Sequence, residues 1–139
     1  MKFSAIVFLD VTDVERAHES AIAVSGGSDG IRDLGLLESA VATPRMTVFG
    51  DPAYPTLATM AAALAYAIAK NHAFVDGNKR TATVVSLTFL ELNGFPLHLG
   101  GTGWVEVFEG LADGRVTREE LTRLLVAEMG RDVEIEMDE

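Results

Sequence analysis

One polar stretch, His72-Ala73-Phe74-Val75-Asp76-Gly77-Asn78-Lys79-Arg80-Thr81, sits between two strongly apolar segments, and this placement constrains the fold more than any other feature. Before it, Thr56 to Lys70 contains no Pro or Gly and spaces Leu57, Met60, Ala61, Leu64 and Ile68 at helical intervals. After it, Thr81 to Leu92 is also unbroken and carries Val84, Val85, Leu87, Phe89 and Leu90 around most of its circumference. Helices apolar over so much of their surface belong in an interior. The pattern predicts two central helices joined by a polar loop, with the rest of the chain covering them.

The loop carries its own chemistry. The second helix is expected to begin at Gly77 or Asn78, so the first-turn N–H groups of Lys79, Arg80 and Thr81 lack intrahelical partners and attract an anion. Gly77 allows close backbone approach or a positive φ, and successive free N–H groups there can form a nest for phosphate oxygens. Asn78 offers a side-chain donor, while Lys79 and Arg80 add positive charge. His72 brings an imidazole, whose neutral form can accept a proton from an incoming hydroxyl. Asp76 is an oxygen ligand suited to Mg²⁺, which reaches proteins through few carboxylates plus substrate phosphates. Base, anion hole and metal ligand together point to phosphoryl or nucleotidyl transfer.

Each residue also has a plainer reading. A lone His is usually structural or merely exposed, Asp-Gly-Asn is an ordinary turn, and Asn78 could be only an N-cap. Lys79 and Arg80 could be solvated first-turn charges, but cations are the wrong sign for a helix N-terminus. Placing them there costs local stability unless an anion is present, which favours the functional reading of the cluster. Phe74 is assigned to structure, burying its ring and clamping the loop.

The stretch 72–80 resembles the Fic/Doc superfamily signature, His-x-Phe-x-Asp/Glu-Gly-Asn-x-Arg, at every fixed position. Lys79 stands where Fic-type nucleotidyl transferases usually have Gly, and Thr83 where they carry a second Arg. Both departures look like the Doc (death-on-curing) branch. The likeness extends to Gly26 through Ala40, to Tyr54-Pro55-Thr56-Leu57 and to Phe89 through Gly94, so it covers about residues 8 to 127. The resemblance implies His72 as general base, Asp76 as Mg²⁺ ligand, and Gly77, Asn78, Lys79 and Arg80 as the phosphate and nucleotide cradle. Lys79 and Arg80 join His72 in the catalytic set. A Lys at 79 fills space that outer phosphates would need, and Thr83 removes their clamp. The Doc branch is understood to bind ATP reversed and to transfer its γ-phosphoryl group to a Thr of translation elongation factor Tu. The alternatives are AMP or UMP transfer to a protein hydroxyl, and a non-catalytic antitoxin-binding module. A metal hydrolase is weaker, because His72 and Asp76 supply too few ligands.

At 139 residues with 48% apolar and 23% charged composition, the chain fits a single domain with a real core. The absence of cysteine excludes a disulfide framework and fits a reducing compartment. The brief apolar run Ala5 to Leu9 is far short of a membrane span and lacks a signal peptide's cleavage site, so a cytoplasmic protein is expected. The 11 cations against 21 acids give −10, which opposes direct DNA binding and suits a basic protein partner.

In chain order, residues 3–9 are expected to be extended or short β. Asp10 or Thr12 caps a first helix through about Val24, burying Val14, Ala17, Ala21 and Val24, with His18 structural. Ser25 to Gly30 is a loop. Asp33 caps a short helix to about Ala42 with Leu34, Leu37 and Val41 inward. Thr43 to Pro55 is a long loop, by resemblance a flap that positions the target's backbone. Its Phe49 and Tyr54 either contact that target or pin the loop to the core.

Asn93-Gly94 and Pro96 stop the second central helix. Phe95 to Leu99 is expected to be extended and Gly100 to Gly103 a turn. Trp104 to Leu111 is a short helix, Asp113-Gly114 a turn, and Thr117 to Glu120 a capping box opening a helix to about Met129. The acid-rich tail 131–139, like residues 1–7, is expected to be peripheral or frayed, a solubilising end. The fold class is therefore all-α, a compact Fic/Doc-type bundle around two central helices joined by the active-site loop.

Many Fic proteins carry an inhibitory helix of the form Ser/Thr-x-x-x-Glu-Gly/Asn. Thr102 to Glu106 has the spacing, but Val107 follows, so no full match exists. The Doc resemblance implies instead a separate Phd-like antitoxin that neutralises by a C-terminal helix.

Overall fold

Four of the described helices begin at short polar side chains, and the structure places their starts where those residues fall. The computed structural model describes residues 1–98, 100 and 103–139. Asp10 caps α1 (Val11–Ser25) in a reciprocal box with Asp13, and Asp33 caps α2 (Leu34–Ala42) by accepting from the Leu36 amide. Thr56 and Thr59 form a second box at the start of α3 (Leu57–Asn71). α4 spans Asn78–Leu92, α5 Gly103–Asp113 and α6 Arg118–Met129. Thr117 caps α6 by accepting from the Glu120 amide. The box expected there is only half made, because the Glu120 carboxylate accepts from the Thr117 hydroxyl. Among the described residues, these helices and a two-strand hairpin make an all-α fold.

α3 is the axis of the bundle and packs against α2, α4, α5 and α6. Leu57, Met60, Leu64 and Ile68 are buried on it, as are Ala58, Ala61, Ala62, Ala63, Ala65 and Ala69. Alanine over so much of the surface lets neighbouring helices approach closely on every side. α4 is less interior than its composition predicts. Val85, Phe89 and Leu90 are buried, but Val84 is 41% exposed and Leu87 half-buried, because that face borders an open cleft.

Two predicted faces shift in the same way. On α1, Val14 is buried and Ala17 and Ala21 are half-buried, whereas Val24 is 87% exposed at the cleft. His18, one helical turn after Val14, occupies the interior instead. On α2, Leu37, Ala40 and Val41 face inward, while Leu34 at the first turn is exposed.

The segment 43–55 is more ordered than a loop. A 3-10 turn at Thr43–Arg45 leads into β1 (Thr47–Val48) and β2 (Asp51–Pro52), paired antiparallel with Thr47 opposite Pro52 and Val48 opposite Asp51. Phe49 and Gly50 form the connecting turn with φ of 51° and 82°. Positive φ at both positions defines a type I′ turn, whose twist matches the strands.

Both termini depart from expectation. Residues 3–5 form a 3-10 turn rather than a strand. The tail 131–139 is not frayed: the Leu57 amide donates to the Val133 carbonyl, the Ile135 amide to Pro55, and the Glu136 amide to Met1, each at 2.9 Å. The Asp132 carboxylate accepts from the Ala58 amide at 3.1 Å, adding an anion at the N-terminus of α3. Asn93 ends α4 and its amide both accepts from and donates to the Val7 backbone. Phe95 to His98 has no regular structure, while Leu99 of that segment and Gly101 and Thr102 of the expected turn lie outside the described residues. No helix among the described residues is long and apolar enough to cross a membrane.

Candidate active site

The polar loop is held by contacts made to its backbone. α3 ends at Asn71, and His72 takes the left-handed conformation, φ 50° and ψ 44°. Arg32 reaches across to donate from Nε to the His72 carbonyl at 2.7 Å and from Nη2 to the Asn71 carbonyl at 3.3 Å. The Arg32 and Asp33 amides both donate to the Ala73 carbonyl, and the Val75 amide donates to Gly30. Phe74 is buried and stacks on the His18 ring, centroids 3.8 Å apart and planes at 4°. His18 Nε2 donates to the Asp76 carbonyl at 2.6 Å, so that nitrogen carries a hydrogen, because a carbonyl only accepts.

The Asn78 side chain is spent on this scaffold. Its Oδ1 accepts from the Phe74 amide at 3.1 Å and its Nδ2 donates to the Phe74 carbonyl at 3.0 Å, with the residue buried. The sequence offered its amide to a phosphate. Geometry gives that amide to the loop and leaves the backbone N–H as the group Asn78 can turn to a ligand.

α4 then begins differently from α1, α2, α3 and α6. α1, α2, α3 and α6 each carry a side-chain cap, whereas α4 starts at Gly77, φ 78° and ψ 17°, with none. Lys79 and Arg80 stand in its first turn. The Thr81 amide, expected to be free, donates to the Gly77 carbonyl at 3.0 Å, which leaves the anion site to the N–H groups before it and the two cations. A Cβ on Gly77 would lie 3.0 Å from Ile22 Cδ1 and 3.4 Å from Arg80 Nη2, so the bare backbone keeps the nest open. Arg80 Nη1 donates to the Gly26 carbonyl at 2.9 Å, which aims the guanidinium across the nest.

Asp76 is exposed, and its Oδ1 accepts from the Gly77 amide at 2.8 Å and its Oδ2 from the Ser28 amide at 3.2 Å. The Ser28 and Gly77 amides, helped by the Arg80 charge, hold its carboxyl below the ordinary range. Each oxygen keeps lone-pair capacity beyond its single hydrogen bond. An ionised, exposed carboxylate beside an anion nest fits Mg²⁺ held jointly with substrate phosphates. No cluster of three His, Cys, Asp or Glu suited to a metal alone occurs among the described residues.

His72, Asp76, Gly77, Asn78, Lys79, Arg80 and Thr83 all line one open cleft of about 910 Å³ between α1, α4 and α5. The far walls are apolar, with Ala21 and Val24 from α1 and Trp104, Val105 and Phe108 from α5. The Thr83 hydroxyl donates to the Lys79 carbonyl at 3.0 Å, so it presents no donor to the cleft. Phe49 and Tyr54 do not line it: Phe49 stands fully exposed at the hairpin turn, and Tyr54 is half-buried under the Arg118 guanidinium at 5.4 Å. Sequence reasoning missed Arg32 and the Gly26–Ser28 backbone. A Cβ at Gly27, φ 115°, would come 2.5 Å from Asp76 Oδ2, and that glycine was the available signal.

Fold and site together define a helical domain with a histidine at one end of a loop and an uncapped, cationic helix start at the other. A model of the Fic/DOC family matches residues 8–90, more than half of the chain, and the chain belongs to that family. Within it, Toxin Doc of Mycolicibacterium smegmatis (strain ATCC 700084 / mc(2)155) is 51% identical over 90 residues, which cover 65% of this chain and 67% of that protein. The match supports a Doc-type member of the family.

Proposed function

We propose that the chain is a Doc-type toxin that transfers the γ-phosphoryl group of ATP to a Ser or Thr hydroxyl of a translation protein, by resemblance elongation factor Tu. The observation that carries this reading is the cleft itself. The exposed His72 ring, the Asp76 carboxylate and the start of α4, which has no side-chain cap, share a single opening.

The chemistry follows from those positions. His72 removes the proton from the target hydroxyl, whose oxygen forms a bond to the γ-phosphorus as the bond to the β,γ-bridging oxygen breaks and ADP departs. The first-turn N–H groups of α4 and the Arg80 guanidinium hold the transferring oxygens, and Lys79 adds charge at the rim. Asp76 would hold Mg²⁺, which supplies charge neutralisation for the phosphates when bound. Lys79 in place of Gly, and a Thr83 hydroxyl committed to the Lys79 carbonyl, leave no second clamp for outer phosphates. That favours the terminal phosphate in the nest over the α-phosphate.

The reaction belongs in the cytoplasm, where ATP and translation factors meet. The apolar α1 and α5 walls suit an amphipathic segment, in keeping with neutralisation by the C-terminal helix of a Phd-like antitoxin. The name Toxin Doc of the mycobacterial relative supports a toxin with an antitoxin partner.

The test mixes the protein and Mg²⁺ with a bacterial translation extract and ATP labelled at the α- or the γ-phosphate. Gamma label on one protein is expected, reduced about 10²- to 10⁴-fold by His72→Ala, the range for loss of a general base. Alpha label would establish nucleotidyl transfer instead, and no label from either would leave a non-catalytic antitoxin-binding module.

A further inference from the structure

We infer that Arg32, which lies outside the signature loop and does not line the cleft, is the positioning residue for His72 in the proposed transfer. His72 is one of two non-glycine residues with positive φ among the described residues. Such a conformation persists only where surrounding contacts over-determine it. The ring of His72 is exposed and takes no protein hydrogen bond among the described residues, so no third group orients it as in catalytic triads. Its direction is set by its own backbone.

That backbone is fixed from residue 32. The helix end leaves the carbonyls of Asn71, His72 and Ala73 without onward helical partners. All three are taken from the same short segment: Asn71 and His72 by the Arg32 guanidinium, Ala73 by the Arg32 and Asp33 amides. A cation at a helix C-terminus also suits the negative end of the helix dipole. Arg32 is itself exposed and forms no ion pair among the described residues, so its guanidinium has no other described task. The anion nest at Gly77 is anchored separately, through His18 and Asn78. Removing the guanidinium should therefore move the base and leave the nucleotide site standing.

This inference rests on the phosphoryl-transfer reading, so its test has two readouts. In γ-label transfer, Arg32→Ala is expected to lower kcat about 10- to 100-fold with the KM for ATP unchanged, the scale of loss for a slightly misplaced group. Arg32→Lys, which restores one donor and the charge, should recover part of kcat. Independently of any reaction, the His72 backbone and ring resonances should shift or broaden in Arg32→Ala while those of His18 stay in place. The chain has 3 His, which keeps assignment simple. Unchanged kcat, a raised KM for ATP at constant kcat, or His72 resonances identical to wild type would each overturn the proposal. So would a general loss of folding in both variants, which would make Arg32 a scaffold residue. If the wild-type protein transfers no label, the functional reading fails, and the resonances alone decide whether Arg32 positions His72.

Discussion

A side-chain amide can serve a phosphate or the backbone, and at Asn78 the two hydrogen bonds to Phe74 decide between them. Replacing Asn78 by Ala leaves the buried Phe74 amide and carbonyl without partners. The cost is expected at about 2–3 kcal/mol, the penalty for stranding buried polar groups, read as a lower urea midpoint with unchanged slope. Full stability with lost nucleotide affinity would show instead that the amide serves a ligand. His18 carries a similar load on the other side of the loop, stacked on Phe74 and bonded to Asp76. His18→Ala should cost about 2–4 kcal/mol through the cavity it opens, and thermal unfolding would register the loss. His72, Asp76, Lys79 and Arg80 stand out in the sequence because they are neighbours in one stretch, where the clash of cations with a helix start is visible. It concealed the partners that hold them. Arg32 and His18 join the loop from 40 and 58 residues away, and no local pattern records such a distance.

Helix ends were legible where a short polar residue announces them: Asp33 and Thr117 cap the helices expected from them and Asp10, rather than Thr12, caps α1, while the Thr56 cap of α3 went unread. Helix faces were less so, since Val24 and Val84 are apolar at helical spacing yet border an open cleft. The hairpin within 43–55 could not be read at all, because strands of two residues are too short to show alternation. Its turn nevertheless has a physical peculiarity. A type I′ turn favours Asn-Gly, and here Phe49 takes the first position at φ 51° with its ring wholly exposed. An aromatic side chain there gains no burial and strains the backbone. Phe49→Asn is expected to leave stability unchanged or raise it by about 0.5–1 kcal/mol in thermal unfolding. If the hairpin presents Phe49 to a protein target, the same variant should lower label transfer to that target without altering ATP binding. Lower stability together with full transfer would assign Phe49 to the turn alone.

The excess of acids, −10 overall, looks from composition like a solubilising coat with a frayed end. Part of it is structural. Asp10 and Asp33 cap α1 and α2, and Asp132 adds its charge to the start of α3. The tail then crosses to the other terminus, where Asp138 accepts from the Ser4 hydroxyl at 2.6 Å and the Ser4 amide at 2.9 Å. Those bonds, the hydroxyl's first, with Lys2 nearby, hold the Asp138 carboxyl below its ordinary range. A depressed folded pKa fixes the sign of the linkage. The tie is complete above the unfolded value of about 3.9 and is lost as pH falls through the lower folded value. Hydrogen exchange can follow this at one amide. Protection of the Ser4 N–H, corrected for intrinsic exchange, should be constant from about pH 7 to 5 and decline below about pH 4. Asp138→Asn should lower protection at neutral pH and flatten the decline, whereas unaltered protection in that variant would mean that the neighbouring backbone pairing between Phe3 and Glu136 holds the terminus without the carboxylate.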